Sequence, residues 1–522
     1  MKILLWLVAI VLLINILTTL VIEPWIGKKI ETALNEKNRA YIIKINEVHI
    51  SLIKSGIELE NIHISSSRAN GGKPYLNGQI ASAKLKGIKL AKAIFKRDIE
   101  IREVIFSNLN IKGKIPFPEK SKPPIVSSLN IRIGNILLDK INLAIENTLT
   151  AKAYTITGGV LKMHDLQVEK HDTLTPGIVK QFDFKAKELL SISDDSMYMY
   201  KASGVIYAAY SKTLAADSFL IHPNYVDYDF STRHKYESDR IEARISNIHL
   251  FNFSVPDYLK SRRLVSSYIE IGKLDLKAFR DKRKIFRHVN KPMFQNMIYN
   301  YHGSINIDSI VVINGNISYT EHAEKAEKPG HISFNEINVK IYRITNDTIY
   351  KTKNASLILK GRALVMGTGK INILLKAKLF ERHNTFTLRG TLTDLEAKEL
   401  NPILKESVYM YATSGKIDAM NFNFTANNTK ATGRMTMRFH GMDVAIINKR
   451  TVDTTGIIEK VKSIFANKKM KDSNSAEHNN VREGIIYYER DPEKFLFNYC
   501  FESILSGIKS SLSKSPMKKK KS

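Results

Sequence analysis

The chain has 522 residues, 43% of them apolar and 25% charged, a balance that excludes a disordered or collagen-like polymer. With 80 Lys and Arg against 51 Asp and Glu, the formal charge is +29, which points to polyanions or anionic surfaces as partners. The single Cys500 excludes an intramolecular disulfide, so burial and strand pairing must hold the fold.

Residues 3–22, ILLWLVAIVLLINILTTLVI, carry no charge. A helix of that length spans roughly 30 Å, the thickness of a bilayer's hydrocarbon core. The run exceeds the ~7–15 apolar residues of a cleaved signal peptide, and no small-x-small site follows it. A retained transmembrane helix is therefore expected, with Ile3, Leu13 and Ile22 along the span and Trp25 at the interface, so that 1–25 forms a membrane anchor. Charge leaves the orientation open, because Lys28, Lys29, Lys37 and Arg39 follow the span but long domains translocate regardless of charge.

After the anchor, residues 24–37 read as a short amphipathic helix with Ile26, Ile30, Ala33 and Leu34 on one side. From Tyr41 the period falls to two, with a slip around Asn46 and Glu47 that suggests a bulge or turn. The same grammar recurs at 99–115, 128–145, 240–255 and, almost unbroken, at 331–449. There Leu357, Leu359, Gly361, Ala363 and Val365 alternate against Ile358, Lys360 and Arg362. Phe386, Leu388 and Leu392 oppose Thr385, Thr387, Arg389 and Thr391, and Met435, Met437 and Phe439 oppose Arg434, Thr436 and Arg438. Each such strand has an apolar face and a wet, basic one. Turn signals without crossover-length helices predict antiparallel pairing throughout the body, 26–450. A phrase I-x-I-x-x-I-x-I, at 129–136 and 305–312, hints at repetition.

The segment 451–490 reads as a short helix, a polar linker and a strand at 484–488. Asp491, Pro492 and Glu493 then form a helix start, and 491–513 is expected to be an amphipathic helix before a Lys-rich tail, 514–522. Phe495, Phe497, Phe501, Ile504 and Ile508 would make that helix interfacial on a membrane or partner; a cap on the open end of the sheet uses the same residues.

No catalytic constellation is found. Gly367, Gly369 and Lys370 imitate a phosphate loop, but Leu364 and Ile371 break the motif and a tight turn fits better. The scattered His residues predict no metal site, and the adjacent Asp194 and Asp195 read as a turn rather than an acid/base pair. No cofactor is expected. Nucleic acid is disfavoured because the cations are spread over strand faces.

The membrane helix at 3–22, the Glu-Pro-Trp at 23–25 and INEVHISLIKSGIELENIHIS at 45–65 together resemble the opening of AsmA-like proteins of bacterial envelopes, and 385–447 resembles that family's C-terminal β stretch. The resemblance implies a single-pass protein of the bacterial inner membrane with its body in the periplasm. It also implies an elongated, curved, groove-like β-sheet, similar to chorein-type bridge proteins, that binds or conducts phospholipid without enzymatic activity. Leu357, Leu359, Phe386, Leu388, Met435, Met437 and Phe439 are then the candidate lipid-facing residues. The alternative is an anchored scaffold with a closed β core that assists outer-membrane or envelope assembly beside an envelope protein partner.

Overall fold

A computed structural model describes residues 23–36, 41–51, 55–66, 75–89, 98–115, 130–169, 181–350, 355–407, 409–446, 473–474 and 483–512. The chain divides into two compact units, one of Met1–Leu220 with Phe253–Ser261, the other of Ile221–Asn252 with Arg262–Ser522.

The first unit opens with helix α1 (Glu23–Glu36), followed by β1 (Tyr41–Ser51), β2 (Gly56–Ser66), β3 (Tyr75–Lys86), β4 (Asp98–Ile115) and β5 (Asn130–Asn147). Then come β6 (Ala153–Val168), β7 (Phe182–Ile192), β8 (Tyr198–Ala208) and most of β9 (Thr213–Pro223). From β1 to β8 each strand pairs with the next in sequence. Helix α3 (Val255–Ser261) belongs to this unit and buries none of its side chains.

The second unit holds α2 (Asp227–Thr232), β10 (Asp239–Phe251), β11 (Leu264–Asp281), α4 (Phe294–Tyr299), β12 (Ile305–His322) and β13 (Gly330–Thr345). It continues through β14 (Ser356–Val365), β15 (Gly369–Lys378), β16 (Phe386–Glu396), α5 (Asn401–Ser407), β17 (Met410–Ala426), β18 (Lys430–Ile446), β19 (Glu483–Glu489) and α6 (Leu496–Leu512). Again each strand pairs with its successor.

The mostly β class holds, with three corrections. First, no helix among the described residues is long and apolar enough to cross a membrane. The expected span with Ile3, Leu13 and Ile22 lies outside the described residues. The helix that follows it has 14 residues and carries Glu23, Lys28, Lys29, Glu31 and Glu36, while the longest described helix, α6, has 17 against the ~20 a span needs. Trp25 sits in the first turn of α1, 62% exposed, with the Lys29 ammonium 5.9 Å from its ring. The described residues thus contradict the expected single-pass anchor and the inner-membrane localisation built on it.

Second, pairing is not antiparallel throughout: β4 with β5 and β11 with β12 are parallel. A parallel return needs a crossover of about a dozen residues or more, and the segments 116–129 and 282–304 supply it. The repeated phrase marks the later strand of each such pair, β5 and β12. Third, the final helix starts at Leu496, not at Pro492, because Asp491 Oδ1 accepts the Glu493 N–H (2.9 Å) in a preceding turn. The expected helix near 455–465 and the Lys-rich tail lie outside the described residues, as does the linker except at 473–474.

Candidate functional site

Strict alternation would send the second half of I-x-I-x-x-I-x-I to the opposite face of the sheet. At 129–136 and 305–312 the corresponding Asn135 and Ser309 are not left-handed, but in runs of the same apolar spacing at 57–64, 104–111 and 136–143 the second residue of the x-x pair absorbs the extra position by adopting a left-handed conformation. It is Asn61 (φ 51°) between Leu59 and Ile62, Asn108 (φ 53°) between Phe106 and Leu109, and Lys140 (φ 52°) between Leu138 and Ile141. The second unit repeats the device with Asn247, Glu336 and Asp394. Asn and Asp tolerate this region better than other side chains, which explains their place inside apolar strands. Leu59 and Ile62 end in one hydrophobic cluster, and Leu392 and Leu395 in another.

These kinks keep the apolar residues in rows across the strands. In the first unit one row runs Val48–Leu59–Ala83–Phe106–Leu138–Leu161–Phe184–Tyr207. Beside it runs Ile50–Ile57–Leu85–Val104–Ile136–Met163–Phe182. Beyond the kink lies Ile43–Ile64–Gly78–Ile111–Leu143–Ile156–Leu189–Ala202. Helix α1 covers only the beginning, where Ile30 joins the cluster and a Cβ at Gly27 would lie 2.8 Å from Val48. Phe106, Leu138, Leu161, Met163, Phe182 and Phe184 are half-buried, and no second layer covers them among the described residues.

In the second unit a row runs Leu250–Ile269–Ile310–Ile341–Leu359–Leu375–Leu388–Phe424–Gly433–Ile486. Its residues are half-buried as far as Leu359, then fall to 7% exposure at Leu375 and 1% at Phe424 and Ile486. Helix α6 covers the later strands. Its Tyr499 packs edge-on to Phe386 (6.1 Å) and donates its hydroxyl to Asn427 O (3.1 Å); a Cβ at Gly507 would lie 2.7 Å from Ile486.

This arrangement places the expected lipid-facing residues. Leu357, Phe386, Leu388, Met435, Met437 and Phe439 lie in one closed cluster with Tyr499 and Leu512, and only Leu359 sits at its margin. The structure therefore brings them together under a helix rather than along an open surface. The expected interfacial residues divide: Ile504 and Ile508 pack against that cluster, while Phe495, Phe497 and Phe501 are exposed. Burial pushes the Cys500 thiol up to about 12.

Both helices also seal sheet edges, which sequence reasoning missed. From α1, Asn35 accepts the Ile43 N–H and donates to the Ile43 carbonyl (both 2.8 Å), Glu31 accepts the Ile45 N–H, and Glu23 the Ile50 N–H (2.7 Å). From α6, Ser510 accepts the Ile485 N–H (2.8 Å) and Ser506 the Tyr487 N–H (3.1 Å). An unpaired strand edge recruits other chains, and these side chains occupy it. The signal was the four-residue spacing of Glu31 with Asn35 and of Ser506 with Ser510, one helical face each.

Among the described residues several polar side chains pair with one another. Arg280 forks onto Asp239 (2.7 and 2.5 Å) and the Tyr319 hydroxyl donates to Glu321 (2.7 Å) where β10, β11 and β12 meet. Burial raises the Glu237 carboxyl above its usual range there, against the pull of Arg280 and Lys494. Gly367 (φ 80°) and Met366 (φ 51°) form the tight turn between β14 and β15. Asp194 and Asp195 lie in the β7–β8 turn, Asp195 accepting the Met197 N–H (3.0 Å). Glu47, His49 and Glu60 bring ligand-type atoms within 4.8 Å of one another on the polar face, Glu47 and His49 in the open. What the arrangement offers is an extended apolar surface flanked by polar strand faces. No family model matches the chain, and none of the curated proteins does either.

Proposed function

We propose that the chain binds lipid, taking acyl chains against the apolar rows of its sheets, and that it does so without catalysis. The observation that carries this reading is the first unit's face: three continuous apolar rows in which Phe106, Leu138, Leu161, Met163, Phe182 and Phe184 stay half-buried, with no covering layer among the described residues. At roughly 25 cal/mol per Å² of apolar area removed from water, covering such a face with hydrocarbon is strongly favourable. A large apolar patch on a folded protein marks a partner site. The resemblance to AsmA-like proteins supports phospholipid as the ligand and passage along the rows as its use. A second reading, a scaffold with a closed β core, draws its support from the cluster beneath α6.

Mass spectrometry of lipid extracted from the purified full-length chain tests the first reading. Phospholipid should co-purify, and Leu138→Glu with Leu161→Glu should deplete it while the far-UV spectrum stays unchanged. A wild-type chain free of lipid, folded and dispersed, would sink the proposal and leave the scaffold.

A further inference from the structure

The opposite face of the second unit's sheet gathers cations. Lys340 of β13 stands directly across from Lys360 of β14, and Asn338 across from Arg362. The rows run Lys340–Lys360–Leu374–Arg389, Asn338–Arg362–Asn372–Thr391 and Tyr342–Ile358–Lys376–Thr387, with no carboxylate among them. Along the first row the next acid beyond Val311 is Glu270, on β11, and it accepts the Tyr268 hydroxyl (2.9 Å).

Some cations on the strand faces of the first unit are neutralised, whereas others, such as Lys44, Lys112 and Lys162, stand singly among the described residues. In the first unit Lys84 meets Glu58, Lys86 meets Glu103 (2.9 Å), Lys114 meets Glu146 (3.6 Å) and Lys201 meets Glu188. Lys340, Lys360, Arg362, Lys376 and Arg389 make no ion pair among the described residues. Like charges directly opposite one another destabilise a strand pair, so the Lys340–Lys360 register works against the fold. The same face carries a shallow depression of about 780 Å³, where Lys340, Lys360 and Arg362 surround Val311, Ile313 and Leu374. Ile313 is 46% exposed, and Tyr342, two residues along β13 from Lys340, is 37% exposed.

We propose that this face docks peripherally on an anionic lipid surface. Phosphate headgroups sit among Lys340, Lys360 and Arg362, while Ile313 and Tyr342 enter the headgroup boundary. Cations near an anionic surface add their attractions, and an aromatic or apolar side chain beside them suits the interface. Nucleic acid fits less well: a sequence of side chains on a strand face offers no helix for a major groove, and the aromatic side chains beside the cations are Tyr342 and, two strands on, Tyr268, whose hydroxyl donates to the Glu270 carboxylate, too little for a ladder of stacked bases. The inference concerns the face away from the apolar rows and stands whether or not they hold lipid.

Co-sedimentation of the full-length chain with phosphatidylcholine vesicles, with and without phosphatidylglycerol, tests it at low salt. The variant Lys340→Gln/Lys360→Gln/Arg362→Gln should bind the anionic vesicles at least about tenfold more weakly. Neutralising three exposed lysines of the first unit (Lys44→Gln, Lys112→Gln, Lys162→Gln) should change binding by no more than about twofold. Lys360→Gln alone guards against misfolding, because it removes a repulsion: it should keep or raise the thermal midpoint and still weaken binding about threefold. Equal losses from both triple variants, undiminished binding by Lys360→Gln, or loss of oligonucleotide binding with vesicle binding intact would each overturn the proposal.

Discussion

Phe184 and Phe424 lie in apolar rows built by the same alternation, yet Phe184 is half-exposed and Phe424 is 1% exposed. The difference is not in their strands. It lies in α6, which is 72 residues beyond Phe424 at Leu496 and closes over the later strands of the second unit, while among the described residues of the first unit α1 covers the first strands alone. Strand pattern decides which face is apolar; a segment remote in sequence decides whether that face is core or surface.

The largest effect that tests this contrast comes from placing one charge on each surface. Met437→Glu buries an unpaired carboxylate in the cluster that α6 helps to close and should cost about 3–5 kcal/mol in denaturant unfolding. Leu138→Glu reaches water from a half-buried site and should cost about 1 kcal/mol or less. Equal losses would erase the distinction between the two surfaces.

A smaller perturbation lifts the cover itself. A Cβ at Gly484 would lie 2.2 Å from Ser511 Oγ and 2.6 Å from the Gly507 carbonyl, so Gly484→Leu should displace α6 at about 1–3 kcal/mol. Cys500 reports the displacement. Its thiol is pushed up to about 12 by burial, so the reactive thiolate is scarce at neutral pH and grows as pH rises toward that value. Alkylation should be slow in the wild type near neutral pH and markedly faster in Gly484→Leu; equal rates would mean that α6 does not shield the thiol.

The smallest effect belongs to the sealed edge. Asn35→Ala removes both hydrogen bonds to Ile43 and should cost about 1 kcal/mol, seen as faster exchange of the Ile43 amide with little change in the rest of the sheet.

Much of the strand content was legible because alternation is a local property. The slip at Asn46 and Glu47 falls where the β1–β2 register passes from Ile45–Ile62 to Glu47–Glu60, skipping Asn46 and the left-handed Asn61. What local pattern does not contain is partnership. Lys340 and Lys360 face each other only once the β13–β14 register is known, and Met435, Met437 and Phe439 read alike whether water, lipid or α6 lies above them. The parallel β11–β12 pair was missed because its crossover carries no long helix to announce it, α4 spanning only Phe294–Tyr299.

The two edge seals are made at very different moments of synthesis. Glu23, Glu31 and Asn35 leave the ribosome before the strand they protect, so β1 is never presented bare. Ser506 and Ser510 emerge after β19, and translation of the whole chain takes on the order of a minute. Throughout that interval the newest strand is an open edge over a growing apolar face, the state in which nascent chains aggregate most readily. Ribosomes stalled within the second unit should therefore carry chains that demand chaperone protection, and release from that demand should coincide with the emergence of α6.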